Sequence, residues 1–225
     1  MIRVVVVDDQ PLVRAGIAML LNVEDDITVT AEAADGDDAL RQARAHRPDV
    51  ILMDVHMPGT DGVEATRAVV DEDLTAHNGQ RIAVIILTTF DVDENVYAAL
   101  RAGASGFLLK DAAPTEIVAA IRAVATGEAW LDPAITRRLI EEFAARPEQR
   151  IPATAAMAQL TPREREVLTL LAQGMSNAEV SRKLVISDAT VKTHLARVMT
   201  KLGVREKAQA VVAAYQTGLV LPPGR

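Results

Sequence analysis

The sequence predicts two folds in tandem: an α/β half built on a doubly wound, five-stranded parallel sheet, then an all-α half of four helices. Three observations predict this. Short β-branched apolar runs alternate with helix-period stretches through about the first 125 residues. From Thr161 onward helix-capping signals follow one another with no further strand-like run. The charge also changes sign: residues 155–225 carry 10 Lys and Arg against 5 Asp and Glu, whereas residues 1–154 carry 14 against 26. The total of −7 conceals that split, and such a split separates domains with different partners.

The strand runs are Val4–Val7, Ile27–Thr30, Val50–Met53, Val84–Leu87 and Phe107–Leu109. Helical spacing fills the gaps, as in Leu12, Gly16, Met19, Leu20 and in Val96, Ala99, Leu100. This alternation reads as a parallel sheet covered on both faces. Ligands of such sheets sit beyond the C-terminal ends of the strands, so functional residues should follow strands directly. This domain is assigned residues 1–126. Residues 127–156 read as a linker punctuated by Pro133, Pro147 and Pro152, with one helix expected from Ile135, Leu139 and Phe143 at i, i+4, i+8.

Residues 157–225 read as four helices. Thr161-Pro162-Arg163-Glu164 offers an N-cap, Pro at N1 and Glu at N3. Ser176-Asn177-Ala178-Glu179 is a second capping box, Ser187-Asp188 opens a third helix, and a fourth runs from about Arg205 to Thr217. Gly174 and Gly203 stand where helices should stop.

Composition excludes several function classes. There is no cysteine, so disulfides and thiolate metal sites are absent. No apolar run approaches the roughly 18 residues of a membrane span, and the apolar start is cut off by Asp8 and Asp9, unlike a signal peptide. A cytoplasmic protein with no membrane partner is expected.

Four strand ends carry unusual residues: Asp8 and Asp9 after the first, Asp54 after the third, Thr88 after the fourth and Lys110 after the fifth. In a parallel sheet these ends share one edge, so the residues should converge. Three close carboxylates repel unless a cation sits among them. Oxygen ligands alone favour a hard ion such as Mg2+. A lysine and a hydroxyl beside them suit an anion, most simply a phosphoryl group. Singly, each residue also fits an ordinary helix cap or turn; the set of four at matched ends carries the signal.

Residues 1 to about 125 resemble the receiver domains of two-component response regulators, which are flavodoxin-like. The matching stretches are Val7-Asp8-Asp9-Gln10-Pro11, Met53-Asp54-Val55-His56-Met57-Pro58-Gly59-Thr60-Asp61-Gly62, Leu87-Thr88-Thr89-Phe90 and Gly103-Ala104-Ser105-Gly106-Phe107-Leu108-Leu109-Lys110. The resemblance implies that Asp54 accepts a phosphoryl group from a sensor histidine kinase. It implies Mg2+ held by Asp9, Asp54 and the backbone carbonyl of His56, with Asp8 reaching it through water. It implies that Lys110 pairs with the phosphoryl oxygens, Thr88 moves to bond them and Phe107 turns inward. His56 occupies a position where family members vary, and Asp71–Arg81 is longer than the usual connector, reading as a solvated loop.

In the second half the helix opening at Ser187 separates its faces. Val191, Leu195, Val198 and Leu202 should point inward, whereas Lys192, Thr193, Ala196, Arg197, Thr200 and Lys201 fall outside. With the preceding helix, Asn177–Leu184, this is a helix-turn-helix layout with a basic outer face; by periodicity alone a plain αα-hairpin fits equally. Residues 160 to about 219 resemble the LuxR-type DNA-binding domain, through Leu160–Leu168, Gly174–Val180 and Thr190-Val191-Lys192-Thr193-His194. Together the two halves resemble a NarL/FixJ-family response regulator. That implies double-stranded DNA as partner, with Lys192, Thr193, Arg197 and Lys201 as contacts, and a homodimer when phosphorylated. Ala208, Val211, Val212 and Tyr215 form an apolar stripe suited to core packing, dimerisation or both.

A phosphohydrolase with an aspartate nucleophile is the enzyme alternative. Haloacid-dehalogenase-like enzymes place a second acid two residues after the nucleophile; Gln10 and Pro11 follow Asp9 here. A regulator that ignores phosphorylation should lack an acid, the Thr or the Lys, and none is missing. An RNA-binding output domain is disfavoured by Thr190–His194.

Overall fold

Every apolar run becomes a strand: β1 Ile2–Val7, β2 Ile27–Ala33, β3 Val50–Asp54, β4 Ala83–Thr88 and β5 Gly106–Leu109. All pair in parallel, in the order β2-β1-β3-β4-β5. The computed structural model describes residues 1–88, 94–131 and 153–220. One correction concerns the strand count. A sixth strand, β6 Trp130–Leu131, lies within the stretch read as linker and pairs in parallel with β5, Gly106 against Trp130 and Phe107 against Leu131. Two residues are too few to show a period of two. The helix expected at Ile135, Leu139 and Phe143 lies outside the described residues, as do Thr89 and Phe90.

The helices of this half are α1 Pro11–Leu21, α2 Gly36–His46, α3 Gly62–Asp71, α4 Glu94–Ala102 and α5 Pro114–Ala125. Pro11 and Pro114 occupy first-turn positions, where a missing N–H costs nothing. The Asp35 and Asp61 side chains cap α2 and α3, accepting from Asp38 N and Glu64 N at 2.7 and 2.8 Å. On one face of the sheet Val4, Val6, Leu52, Ile85, Leu87 and Leu108 pack with Leu21 of α1 and with Ile117, Ile121 and Val124 of α5. The alternate residues, Val5, Val7, Ile51, Met53, Val84, Ile86 and Phe107, point to the other face and are equally buried. Burial on both faces explains why the runs are continuously apolar.

Residues 71–81 are largely exposed, as expected of a solvated loop, and also fold into a local turn. Thr75 bridges Arg81 in an antiparallel pairing, Ala76 N donates to Gln80 O at 2.7 Å, and Ala76 is fully buried. Arg47, held in the left-handed region at φ 45°, clamps the turn through Thr75 O, Thr75 Oγ1 and Ala76 O at 2.9–3.1 Å. The buried carboxylate of Asp49 accepts from Asn78 Nδ2 at 2.8 Å. Polar residues that satisfy one another in a hairpin carry no apolar period, so the sequence pattern is that of a loop.

The chain divides into two compact units, Met1–Asp132 and Pro133–Arg225. The second holds a six-residue helix, α6 Ala153–Ala158, then α7 Pro162–Ala172, α8 Asn177–Leu184, α9 Asp188–Leu202 and α10 Lys207–Gln216. The predicted caps form at Thr161, Ser176 and Ser187, and Gly203 ends α9 at φ 67°. Val167, Leu170 and Leu171 of α7 meet Val180 of α8 and Val191 and Leu195 of α9 in one core cluster. Among the described residues, no helix is long and apolar enough to cross a membrane.

Candidate phosphoacceptor site and helix-turn-helix

The C-terminal edge of the sheet gathers the residues expected there. Asp54 ends β3, Thr88 ends β4, Asp8 and Asp9 follow β1, and Lys110 follows β5. Asp8 and Asp54 are buried, and Lys110 Nζ lies 2.8 Å from an oxygen of each. Burial pushes the Asp54 carboxyl above the ordinary aspartate range; the Lys110 ammonium opposes that, while the Asp8 charge adds to it. Burial alone would lower the Lys110 ammonium, but its bonds to Asp54 and Asp8 more than offset this and hold it above its usual value.

The backbone supports the cluster. Gln10 N donates to Asp8 Oδ1 at 2.8 Å and His56 N to Asp54 Oδ1 at 3.3 Å. Asp8, Asp9 and Asp54 each present a carboxylate oxygen within 4.8 Å of the others. Asp9 Oδ1 is buried and accepts no hydrogen bond. A buried anionic oxygen without a donor suits a cation as its missing partner. Thr88 is buried beside this edge, and Lys110 N donates to its carbonyl at 2.7 Å. Phe107 is fully buried.

In the second unit α9 separates its faces as its period predicts. Val191, Leu195, Val198 and Leu202 are buried, whereas Lys192, Thr193, Ala196, Arg197 and Thr200 are exposed. The α8–α9 turn is set by Val185 at φ 54° and by Ser181 Oγ, which donates to Ile186 O at 2.5 Å. A short helix, a tight turn and a longer helix with a basic outer face can lie along a groove of duplex DNA.

Comparison with known proteins agrees with both halves. The family model of the response regulator receiver domain matches residues 4–122. That of the bacterial regulatory proteins of the luxR family matches residues 158–214. The uncharacterized transcriptional regulatory protein YxjL of Bacillus subtilis (strain 168) is 43% identical over 219 residues, 97% of either chain. This chain is a response regulator of the NarL/FixJ family.

Among solved structures, the regulator is similar to the response regulator ChrA of a heme-sensing two-component system, at 41% identity and TM-score 0.52, covering 97% of this chain and 98% of that one. It is also similar to RcsB, solved as two dimers bound to two parallel DNAs, at 26% identity and TM-score 0.55, covering 96% and 98%. Members of this family are signalling DNA-binding factors, not metabolic enzymes.

Two expected sites in the regulator's second half are engaged within the domain. Lys201, expected among the DNA contacts, turns back: Nζ donates to Glu164 Oε2 at 2.6 Å and to Gln159 O at 3.1 Å. The stripe on α10 is also under cover. Val211 belongs to the core cluster with Leu168, Ala172 and Leu202, and Tyr215 packs at its margin with its hydroxyl 2.5 Å from Ala172 O. Ala208 and Val212 are buried as well. Core packing, one of the roles expected of the stripe, is the one visible within the domain.

Three contributors have contacts that no local sequence pattern signals. A Cβ on Gly62 would fall 2.0 Å from Asp54 O, so this glycine lets α3 start directly against Asp54. Arg163 Nη2 donates to Leu184 O at 2.8 Å, at the end of α8. Glu164 is visible as the N3 residue of a capping box, but its pairing with Lys201 depends on where α9 ends.

Proposed function

We propose that Asp54 accepts a phosphoryl group from a sensor histidine kinase, and that this promotes dimerisation and sequence-specific binding to double-stranded promoter DNA. The observation that carries the reading is the pairing of Lys110 Nζ with both Asp54 and Asp8 beside the unpartnered Asp9 Oδ1. A carboxylate and a phosphoryl donor are both negative, so the transfer depends on positioning and on neutralising charge. A carboxylate oxygen of Asp54 attacks phosphorus, the P–N bond of the donor phosphohistidine breaks, and the electron pair leaves with the imidazole. Lys110 moves its ion pair from the Asp54 carboxylate to the incoming phosphoryl oxygens. The Thr88 hydroxyl donates to the same oxygens, and the buried Phe107 lies on the neighbouring strand.

Asp9, Asp54 and the backbone carbonyl of His56 would hold Mg2+, with Asp8 reaching it through water. Mg2+ bound there supplies charge neutralisation to the phosphoryl oxygens. The three clustered carboxylates and the donorless oxygen of Asp9 fit such an ion.

The phosphoryl group adds about −1.5 to −2 charges, by analogy with hydroxyl phosphates, at a site whose partners are already placed. That is enough to bias a two-state element. One helix-turn-helix reads one half-site, so joining two gains from effective concentration. RcsB, bound to DNA as dimers, supports this reading. Lys192, Thr193 and Arg197 on the exposed face of α9 are the proposed contacts. The protein is placed in the cytoplasm, where kinase output and DNA meet. The test is intact-mass analysis after incubation with acetyl phosphate and Mg2+. The parent should gain one phosphoryl group and Asp54→Ala none; labelling of the variant at the parent's level would move the acceptor elsewhere.

A further inference from the structure

The first turn of α7 reaches both helices of the helix-turn-helix. Arg163 Nη2 donates to Leu184 O at 2.8 Å, one of the carbonyls left open at the end of α8. Next to it, Glu164 Oε2 accepts from Lys201 Nζ at 2.6 Å, in the last turn of α9. Glu164 also accepts from Thr161 N at 2.8 Å, closing the capping box. Its side chain is 3% exposed and that of Lys201 30%. One turn of a supporting helix therefore grips the end of α8 just before the turn and the far end of α9.

Between these grips α9 is held by Val191, Leu195 and Val198. Aliphatic packing fixes distance better than rotation, because side chains of similar shape accommodate a small roll of the helix. A charge pair with one buried partner is directional. It adds little net stability but disfavours arrangements in which either partner loses the other. A roll of α9 would swing Lys192, Thr193 and Arg197 out of register with the groove and would part Lys201 from Glu164.

We infer that Glu164 and Lys201 are positioning residues: their ion pair sets the rotation of α9, and so the sequence discrimination of the regulator, without either side chain touching DNA. This rests on the reading of α9 as the DNA-reading helix. It separates Lys201 from the exposed cations of the same helix. A lysine that neutralises a phosphate contributes to the salt dependence of all binding. A lysine that orients the helix contributes to the difference between right and wrong sequences.

The experiment uses the full chain after acetyl phosphate treatment. The probes are a duplex selected by the parent from a random library and a scrambled duplex, titrated over a salt series. Lys201→Met keeps the aliphatic stem, Glu164→Gln keeps acceptors for Thr161, and Lys201→Arg keeps the charge. Circular dichroism fixes an assay temperature at which each is folded. Lys201→Met and Glu164→Gln should each lower the ratio of selected to scrambled affinity about fivefold or more, on the scale of one base contact, with the salt slope unchanged. Lys201→Arg should retain the parent ratio. Arg197→Ala, run alongside, should lower the slope by about 0.9. The inference is overturned if Lys201→Met lowers the slope like Arg197→Ala and weakens both duplexes alike, since Lys201 would then be a phosphate contact. It also fails if both ion-pair variants discriminate as the parent does. If Arg197→Ala and Lys192→Ala both bind like the parent, α9 is not the reading helix, and the positioning role falls with that reading.

Discussion

Gly62 presses on the backbone of Asp54: a Cβ built there would stand 2.0 Å from the Asp54 carbonyl oxygen and 2.9 Å from its carbonyl carbon. The contact is made by backbone atoms, which cannot rotate away. Gly62 N also donates to Val55 O at 3.0 Å, fixing α3 against the residue after Asp54. Gly62→Ala should therefore cost about 1–3 kcal/mol, the usual range for overpacking, and should slow labelling of Asp54 by acetyl phosphate. Urea unfolding followed by the single tryptophan, Trp130, reads the first effect and intact mass the second. A variant as stable and as readily labelled as the parent would show that the helix can start elsewhere.

Lys110 pairs with two buried carboxylates, Asp54 and Asp8, each at 2.8 Å. Replacing it by Met leaves Asp54 and Asp8 facing each other and removes the cation proposed to receive the phosphoryl group. The rate of labelling by acetyl phosphate should fall on the order of a hundredfold, as for loss of one preorganised charge-stabilising donor. Parent-like labelling of Lys110→Met would exclude Lys110 from the transfer.

Metal removal gives an independent check. The three carboxylates offer only oxygen ligands, so labelling should stop in excess chelator and return when Mg2+ is restored. Undiminished labelling in chelator would rule out a metal at Asp8, Asp9 and Asp54.

The Glu164 pair makes a pH-dependent prediction. The bond from Lys201 holds the Glu164 carboxyl down to about 2, from an ordinary value of 4.5. A carboxyl depressed on folding stabilises the fold fully above its unfolded value, and the contribution is lost as pH falls toward its folded value. The second unit should lose stability as pH drops from about 4.5 toward 2, and Glu164→Gln should flatten that decline. Thermal melts by circular dichroism, with Trp130 fluorescence following the first unit separately, measure the difference. Equal pH dependence in parent and variant would deny the pair this role.

Much of this was legible in the sequence because it depends on local rules. The strands are continuous apolar runs, and the gathering of Asp8, Asp9, Asp54, Thr88 and Lys110 follows from the rule that parallel strands open on one edge. The faces of α9 follow from helical period. What escaped depends on long-range geometry. Lys201 sits on the outer face by its period, yet Glu164, which is 37 residues away, draws it back. The hairpin at Thr75–Arg81 is stabilised by Arg47 and Asp49 from a distant part of the chain. The burial of Val211 and Tyr215 depends on where α10 packs, which an apolar stripe does not specify.

The most direct test is the affinity of the full chain for its selected duplex, measured for the parent and for Asp54→Ala before and after acetyl phosphate with Mg2+. If phosphorylation of Asp54 switches DNA binding, treatment should tighten binding by the parent, with a shift from monomer to dimer in ultracentrifugation, and should leave Asp54→Ala unchanged. Equal affinity of treated and untreated parent, with no change in sedimentation, would contradict it.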